Sequence, residues 1–234
     1  MTATPTIQMC RTCGGGAPLD AHFCPQCTKI LTLGRQGDYF SFLGVPRKLH
    51  IDHADLEQRF RALSRQFHPD YFYNASPAER RASLERSSYL NDAYRTLRQP
   101  MARIEYLLEL EAMGVGSSAR TGISADRAKD VPPALLEEVF ALNEELDEVR
   151  ELRASGAPPE VWRARLQQAR QPIDAKRDEH ERRLEALSNE WDELAERPDT
   201  AEPRRAVLGT LREQMLERNY IGNLLAGIER ELSQ

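Results

Sequence analysis

From residue 52 to the C-terminus, on either side of a polar stretch at 116–131, apolar residues recur at three- and four-residue spacing with charged residues between them. That is the period of a helix with one buried face. Alternating β-branched runs, which would signal strands, are scarce. Hydrophobic residues make up 40%, charged residues 29% and aromatics only 7%, a balance that suits helical bundles with solvated faces. The expected fold class is therefore all-α. No stretch of 18 apolar residues exists, so no membrane span is expected. The net charge of −5 disfavours a nucleic-acid partner, because phosphate binding calls for a basic surface. Met1 to Met9 contains no basic residue and no long apolar core. It is neither an export signal nor an Arg-rich transit peptide, and the chain reads as cytoplasmic.

Composition separates the chain into a cysteine segment at 1–34, a helical region at 35–115, a polar linker at 116–131 and a helical region at 132–234. In the first helical region, Asp38 to Val45 is a short apolar-aromatic piece stopped by Pro46. Asp52 is a good N-cap for a helix reaching about Phe67, with Leu56, Phe60, Leu63 and Phe67 on one face. Ser76, Pro77 and Glu79 form a capping box with proline at the first helical position. The stripe of that helix is Leu90, Ala93, Tyr94 and Leu97. A further helix follows Pro100, with Ile104, Leu107 and Leu108 inward, and ends at Gly114 and Gly116.

After the linker, three amphipathic helices make a bundle. The first aligns Leu135, Val139, Leu142, Leu146 and Val149. The second, from Pro159 to about Glu196, carries Trp162 and Trp191 as core residues, and Pro172 is expected to kink or interrupt it. His180, on its charged stretch, is expected to be solvated. The third runs from about Pro203 to Leu232.

All four cysteines lie in the first segment as Cys10-x-x-Cys13 and Cys24-x-x-Cys27, with ten residues between the pairs. Each pair can form a tight knuckle, and two knuckles supply four ligands to one tetrahedral ion. The adjacent glycines let the backbone turn closely. The segment is too short to fold on packing alone, and metal binding supplies that energy. A closed all-thiolate site points to structural zinc. Iron with the same ligands is the alternative this spacing leaves open. Two disulfides, or a redox Cys-x-x-Cys, fit a chain without an export signal or a βαβ unit less well. The closed site suits a structural role or self-association. His22, between the knuckles, reads as a loop histidine.

His68-Pro69-Asp70 sits between the two helices of the first helical region. Pro69 stiffens the turn, and Arg61 and Arg65, four apart, form a positive face opposite the apolar stripe. With Arg61-Ala-Leu-Ser-Arg65-Gln-Phe-His-Pro-Asp70 before it and Asn91-Asp-Ala-Tyr94-Arg-Thr-Leu97 after it, the region resembles the J-domain family. That resemblance implies that Arg61, Arg65, His68, Pro69 and Asp70 dock on an ATPase chaperone of the DnaK type and accelerate its ATP hydrolysis. Tyr71 stands where many J-domains carry lysine.

The whole chain resembles the HscB-type co-chaperones of iron–sulfur cluster assembly. The residues that carry this are Asp38-Tyr-Phe-Ser-Phe-Leu-Gly44, Pro100-Met-Ala-Arg-Ile-Glu-Tyr-Leu-Leu108, Asn143-Glu-Glu-Leu-Asp-Glu-Val149 and the four-cysteine segment of the longer members. The resemblance implies a J-domain hairpin, a C-terminal three-helix bundle, a dedicated HscA-like chaperone and an IscU-type cluster scaffold as client. On helix geometry, Leu136 and Phe140 lie about 100° from the core stripe with Glu144 on their line. An apolar pair beside a carboxylate suits a partner surface, and widening of the core stripe is the competing explanation. The family's scaffold-binding patch falls on Leu136, Phe140, Glu144 and, in the last helix, Tyr220. Glu137 and Ala141 depart from the family pattern.

An interaction protein that bridges client and chaperone is thus the leading expectation. An adaptor for another client, and a zinc-ribbon nucleic-acid factor, are the alternatives. No catalytic constellation is apparent, so an enzyme is not expected.

Overall fold

The computed structural model describes residues 7–18, 20–33, 37–114, 135–197 and 200–233. Helices dominate the described residues, as the spacing predicts. The chain divides into two compact units, Met1–Leu110 and Glu111–Gln234. The linker expected at 116–131 and the bundle's expected first residues, 132–134, lie outside the described residues.

The first unit opens with an element the sequence pattern does not reveal. Strands β1 (Ile7–Met9) and β2 (Gly16–Pro18) pair antiparallel, with Gln8 opposite Ala17. Three-residue strands are too short to show alternation. Helix α1 (Tyr39–Leu43) follows, then α2 (His53–Phe67), a 3-10 turn at Pro69–Phe72, α3 (Pro77–Arg98) and α4 (Pro100–Gly114). Their starts are chemically set. The Asp38 carboxylate accepts the Ser41 N–H, and the Asp52 carboxylate accepts the N–H groups of Ala54 and Asp55. Ser76 and Glu79 close a reciprocal capping box, with Pro77 at the first helical position.

Phe40, Leu56, Phe67, Leu90, Ala93 and Leu97 form one buried core. Ile30 of the cysteine segment belongs to it, and Phe23 and Leu33 pack at its edge. The rings of Phe60 on α2 and Tyr94 on α3 stack at 4.2 Å.

The second unit holds α5 (Leu136–Ala154), α6 (Pro159–Ala195) and α7 (Ala201–Leu232). Leu135, Leu142 and Val149 of the first stripe pack with Trp162, Leu166, Ile173, Ile221 and Ile228. Gly156, at φ 77°, and the bond from Ala157 N–H to the Leu152 carbonyl end α5. Between helices, Lys176 pairs with Glu138 at 2.9 Å and Arg153 with Glu231 at 2.8 Å. Arg153 also lies over the Trp162 ring, 4.0 Å from its centre.

Of the two effects expected of Pro172, interruption does not occur: helix α6 is continuous from Pro159 to Ala195. Pro172 removes one N–H, and the buried faces on either side, Leu166 and Ile173, hold the helix together. His180 is not solvated. It is 4% exposed, and its Nε2 lies 2.7 Å from the Gln214 carbonyl oxygen on α7. Its position four residues before Leu184 places it on the apolar stripe despite its charged sequence neighbours.

Candidate functional sites

The loop between α2 and α3 opens with three exposed residues, His68, Pro69 and Asp70. His68 leaves the helix at ψ 127°, and Pro69 starts the 3-10 turn. The His68 Nδ1 lies 3.4 Å from the Asp70 amide nitrogen and 3.4 Å from its Oδ2. Asp70 is the more open of the two, with 87% of its side chain exposed against 52% for His68. A carboxylate this open can reach a partner's cation at little desolvation cost. Arg61 and Arg65 are both exposed on the outer face of α2, and Arg61 pairs with Glu57 at 2.6 Å. Tyr71 is 75% exposed and sits edge-on to the His68 ring.

What holds the loop is less visible in the sequence. Ser83 and Ser87 of α3 both donate their hydroxyls to the Phe67 carbonyl, at 2.6 and 2.9 Å. That carbonyl belongs to the last residue of α2, where helix carbonyls lack intrahelical partners. Two crosslinks to α3 therefore fix the point from which His68 departs. Two serines four apart on the inner face of an otherwise apolar stripe are a signal that could have found them.

The four cysteines converge. Their Sγ atoms all lie within 4.8 Å of one another, with Cys10–Cys27 and Cys13–Cys24 each at 3.7 Å. A tetrahedral zinc with Zn–S near 2.3 Å needs sulfur–sulfur edges of about 3.8 Å. The donor set thus fits one ion, and free thiols at these separations are not disulfides. Cys10 and Cys24 are buried, Cys13 exposed and Cys27 between.

Backbone N–H groups from Cys13 and Thr12 bring the Cys10 thiol down to about 6, and those of Cys27 and Gln26 lower Cys24. Such donors favour thiolate. Cys27 is pushed up to about 12. The Lys29 N–H works against this, but burial and the three neighbouring sulfurs prevail. Four sulfurs this close cannot all ionise without a cation between them, and a metal would supply it.

The knuckles repeat one geometry. Gly14 N–H bonds the Cys10 carbonyl and Thr28 N–H bonds the Cys24 carbonyl, each at 2.9 Å. Gly14 has φ 70° and Thr28 φ 57°. Glycine accepts that conformation freely, whereas β-branched Thr28 is strained there.

The segment is bolted to the helices by Arg86 of α3. Arg86 is only 2% exposed. It donates to the carbonyls of Leu31 (2.7 Å), Thr32 (3.3 Å) and Ala21 (3.4 Å), and its Nη1 lies 2.8 Å from His22 Nδ1. Because arginine can only donate, that nitrogen is the unprotonated one. Burial first, and the Arg86 charge second, hold the His22 imidazole down at about 4. Burial lowers Arg86 itself to about 10, which leaves it a cation near neutrality. His22 also sits edge-on to Phe42 and Phe67, at 4.8 and 5.0 Å. It is thus a joint between the segment and the helices rather than a simple loop histidine. A lone arginine four residues before Leu90, on the buried stripe of α3, was the clue.

On α5, Leu136 is 40% and Phe140 67% exposed, and Glu144 is exposed. Tyr220 of α7 is half-buried at the edge of the bundle core.

A capped antiparallel hairpin with an exposed His-Pro-Asp at its tip defines a class, and the DnaJ domain family matches residues 38–106. Residues 38–106 are thus a J-domain. Two solved structures extend the likeness beyond that domain. The crystal structure of human co-chaperone protein HscB is 26% identical, with a TM-score of 0.65 over 96% of this chain and 98% of that one. Chaperone HscB from Vibrio cholerae is 25% identical, with a TM-score of 0.56 over 84% of this chain and 99% of that one. The chain therefore has the J-domain co-chaperone fold of the HscB type.

Proposed function

We propose that the chain stimulates the ATPase of a DnaK-type, HscA-like chaperone and delivers to it an IscU-type iron–sulfur scaffold. The observation that carries this reading is His68-Pro69-Asp70, held open at the tip of a braced hairpin in a chain similar throughout to HscB co-chaperones. Asp70 would meet a chaperone cation, with Arg61 and Arg65 on α2 meeting an acidic surface. Hydrolysis takes place on the chaperone. Leu136, Phe140 and Glu144, with Tyr220, form the scaffold-binding surface. The 67% exposure of Phe140 supports a docking role over a share in the core. The four thiolates of Cys10, Cys13, Cys24 and Cys27 hold a structural zinc, which contributes folding energy and leaves no open coordination position.

The test is single-turnover ATP hydrolysis by the chaperone with wild type and His68→Gln, each with and without scaffold. Stimulation that requires His68 and rises with scaffold is expected. Stimulation indifferent to scaffold would leave the chaperone role and remove the client. No stimulation by wild type would overturn the reading.

A further inference from the structure

The Arg86 joint ends beside the functional loop. Its guanidinium lies over the faces of Phe42 and Phe67, 5.8 and 5.7 Å from their centres. Phe67 is fully buried and immediately precedes His68. Its ring is flanked by His22 and Phe23 of the cysteine segment, and its carbonyl is held by Ser83 and Ser87. Ser83, Arg86, Ser87 and Leu90 share one face of α3, so the residues that brace the loop and the residue that anchors the segment are neighbours. On the segment side, His22 and Phe23 directly precede Cys24, and the Cys24 N–H bonds the Lys29 carbonyl. Lys29 in turn pairs at 3.0 Å with Glu79, the residue that closes the capping box of α3.

We propose that the cysteine segment is a positioning element for the His68-Pro69-Asp70 loop, with Arg86 and His22 as its positioning residues, so that metal occupancy sets how well the loop is ordered. The loop is short and exposed, and its anchor is one aromatic ring. One side of that ring's pocket is built by a segment that needs metal to hold its shape. When the metal leaves, His22 and Phe23 lose their fixed place, and the four groups that Arg86 binds lose theirs. A buried guanidinium without partners is costly, so α3 must adjust around residue 86. The same turn of α3 carries Ser83 and Ser87, and the Phe67 carbonyl loses its clamps. Metal binding and loop order are thus coupled through one turn of helix. This deepens the chaperone-docking role proposed for the loop and rests on it for its consequence, though not for its test.

The test is amide hydrogen exchange on the full chain, loaded with zinc or stripped by a chelator, for wild type, Arg86→Met and His22→Leu. Stripping wild type is expected to speed exchange at Asp70 and Tyr71 about tenfold, while amides near Phe60 and Tyr94 stay protected. Zinc-loaded Arg86→Met should show the fast loop already, and stripping it should add little, because the two changes break one coupling. His22→Leu should fall between, and Arg86→Lys should recover part of the protection. Unchanged loop exchange on stripping wild type would overturn the proposal, and so would additive effects of stripping and Arg86→Met. Should Arg86→Met fail to fold, stripping of wild type and of His22→Leu decides alone. If exchange behaves as expected but no form stimulates a chaperone, the coupling stands and the docking role falls.

Discussion

The two units hold their helices in different ways. In the first, α1, α2 and α3 each start on a side-chain cap, two of them reciprocal, and aromatic rings fill the core. In the second, α5, α6 and α7 have no side-chain cap hydrogen bond, although they run to 19, 37 and 32 residues. There the length of the apolar stripe and the ion pairs between helices replace defined ends. The difference suits what each unit is proposed to present. A loop that must offer one carboxylate in one place needs its flanking helices fixed at the residue where they stop. A surface spread along a helix face needs the face, and fraying at the ends changes little.

The largest break in this comparison should come from metal removal. Chelation is expected to lower the melting temperature of the first unit by more than about 10 °C. Both tryptophans, Trp162 and Trp191, lie in the second unit, so their fluorescence reports the bundle. That transition should move less than half as far, and equal shifts would mean that the units do not differ as described. Next in size, Asp70→Asn should reduce ATPase stimulation roughly thirtyfold or more, the loss expected of a binding hot spot. Its melting temperature should stay put, because the side chain is exposed. In the bundle, Phe140→Ala should weaken scaffold binding about tenfold, measured by calorimetric titration, with folding stability changed by less than about 0.5 kcal/mol. A stability loss of 3 kcal/mol or so would instead mark Phe140 as a core residue. The smallest effects sharpen the contrast in caps. Ser76→Ala should cost about 1 kcal/mol in denaturant unfolding, and Thr200→Ala, which heads α7 without a cap bond and loses only its hydroxyl's bonds to the Leu194 and Arg197 carbonyls, about half of that. Acid should act on the same feature. Burial works to raise the Asp38 carboxyl, but the Ser41 N–H and Arg47 outweigh it and hold it below its ordinary value. The lowered group lends stability that is complete above its ordinary pKa of about 4 and is lost as pH falls below that. Asp38→Asn should flatten this acid limb.

The sequence made the helices and their caps legible because both are local. Ser76-Pro77-x-Glu79 states its own structure, and four cysteines at knuckle spacing state their convergence. The His-Pro-Asp loop was readable because its neighbours on both sides carry strong patterns. What escaped was tertiary. Arg86 looks like any helix-surface arginine until its register with Leu90 is counted, and nothing local says that His22 is its partner. At His180, charge in the adjacent residues masks a helix register that places the ring in the core. Strands β1 and β2 could not show themselves in three residues each. Pro172 does not break α6 because buried packing on either side of it outweighs one lost N–H.

Arg86 grips the cysteine segment chiefly by main-chain oxygens, at Ala21, Leu31 and Thr32. Such a grip is indifferent to which side chains those residues carry. The segment can therefore drift in sequence at exposed positions while keeping its seat, provided that the path of its backbone is preserved. Arginine at 86 has no such freedom, since its fork alone matches several carbonyls at once. In a substitution scan across both partners, tolerance should be lopsided: broad at Thr32, narrow at Arg86.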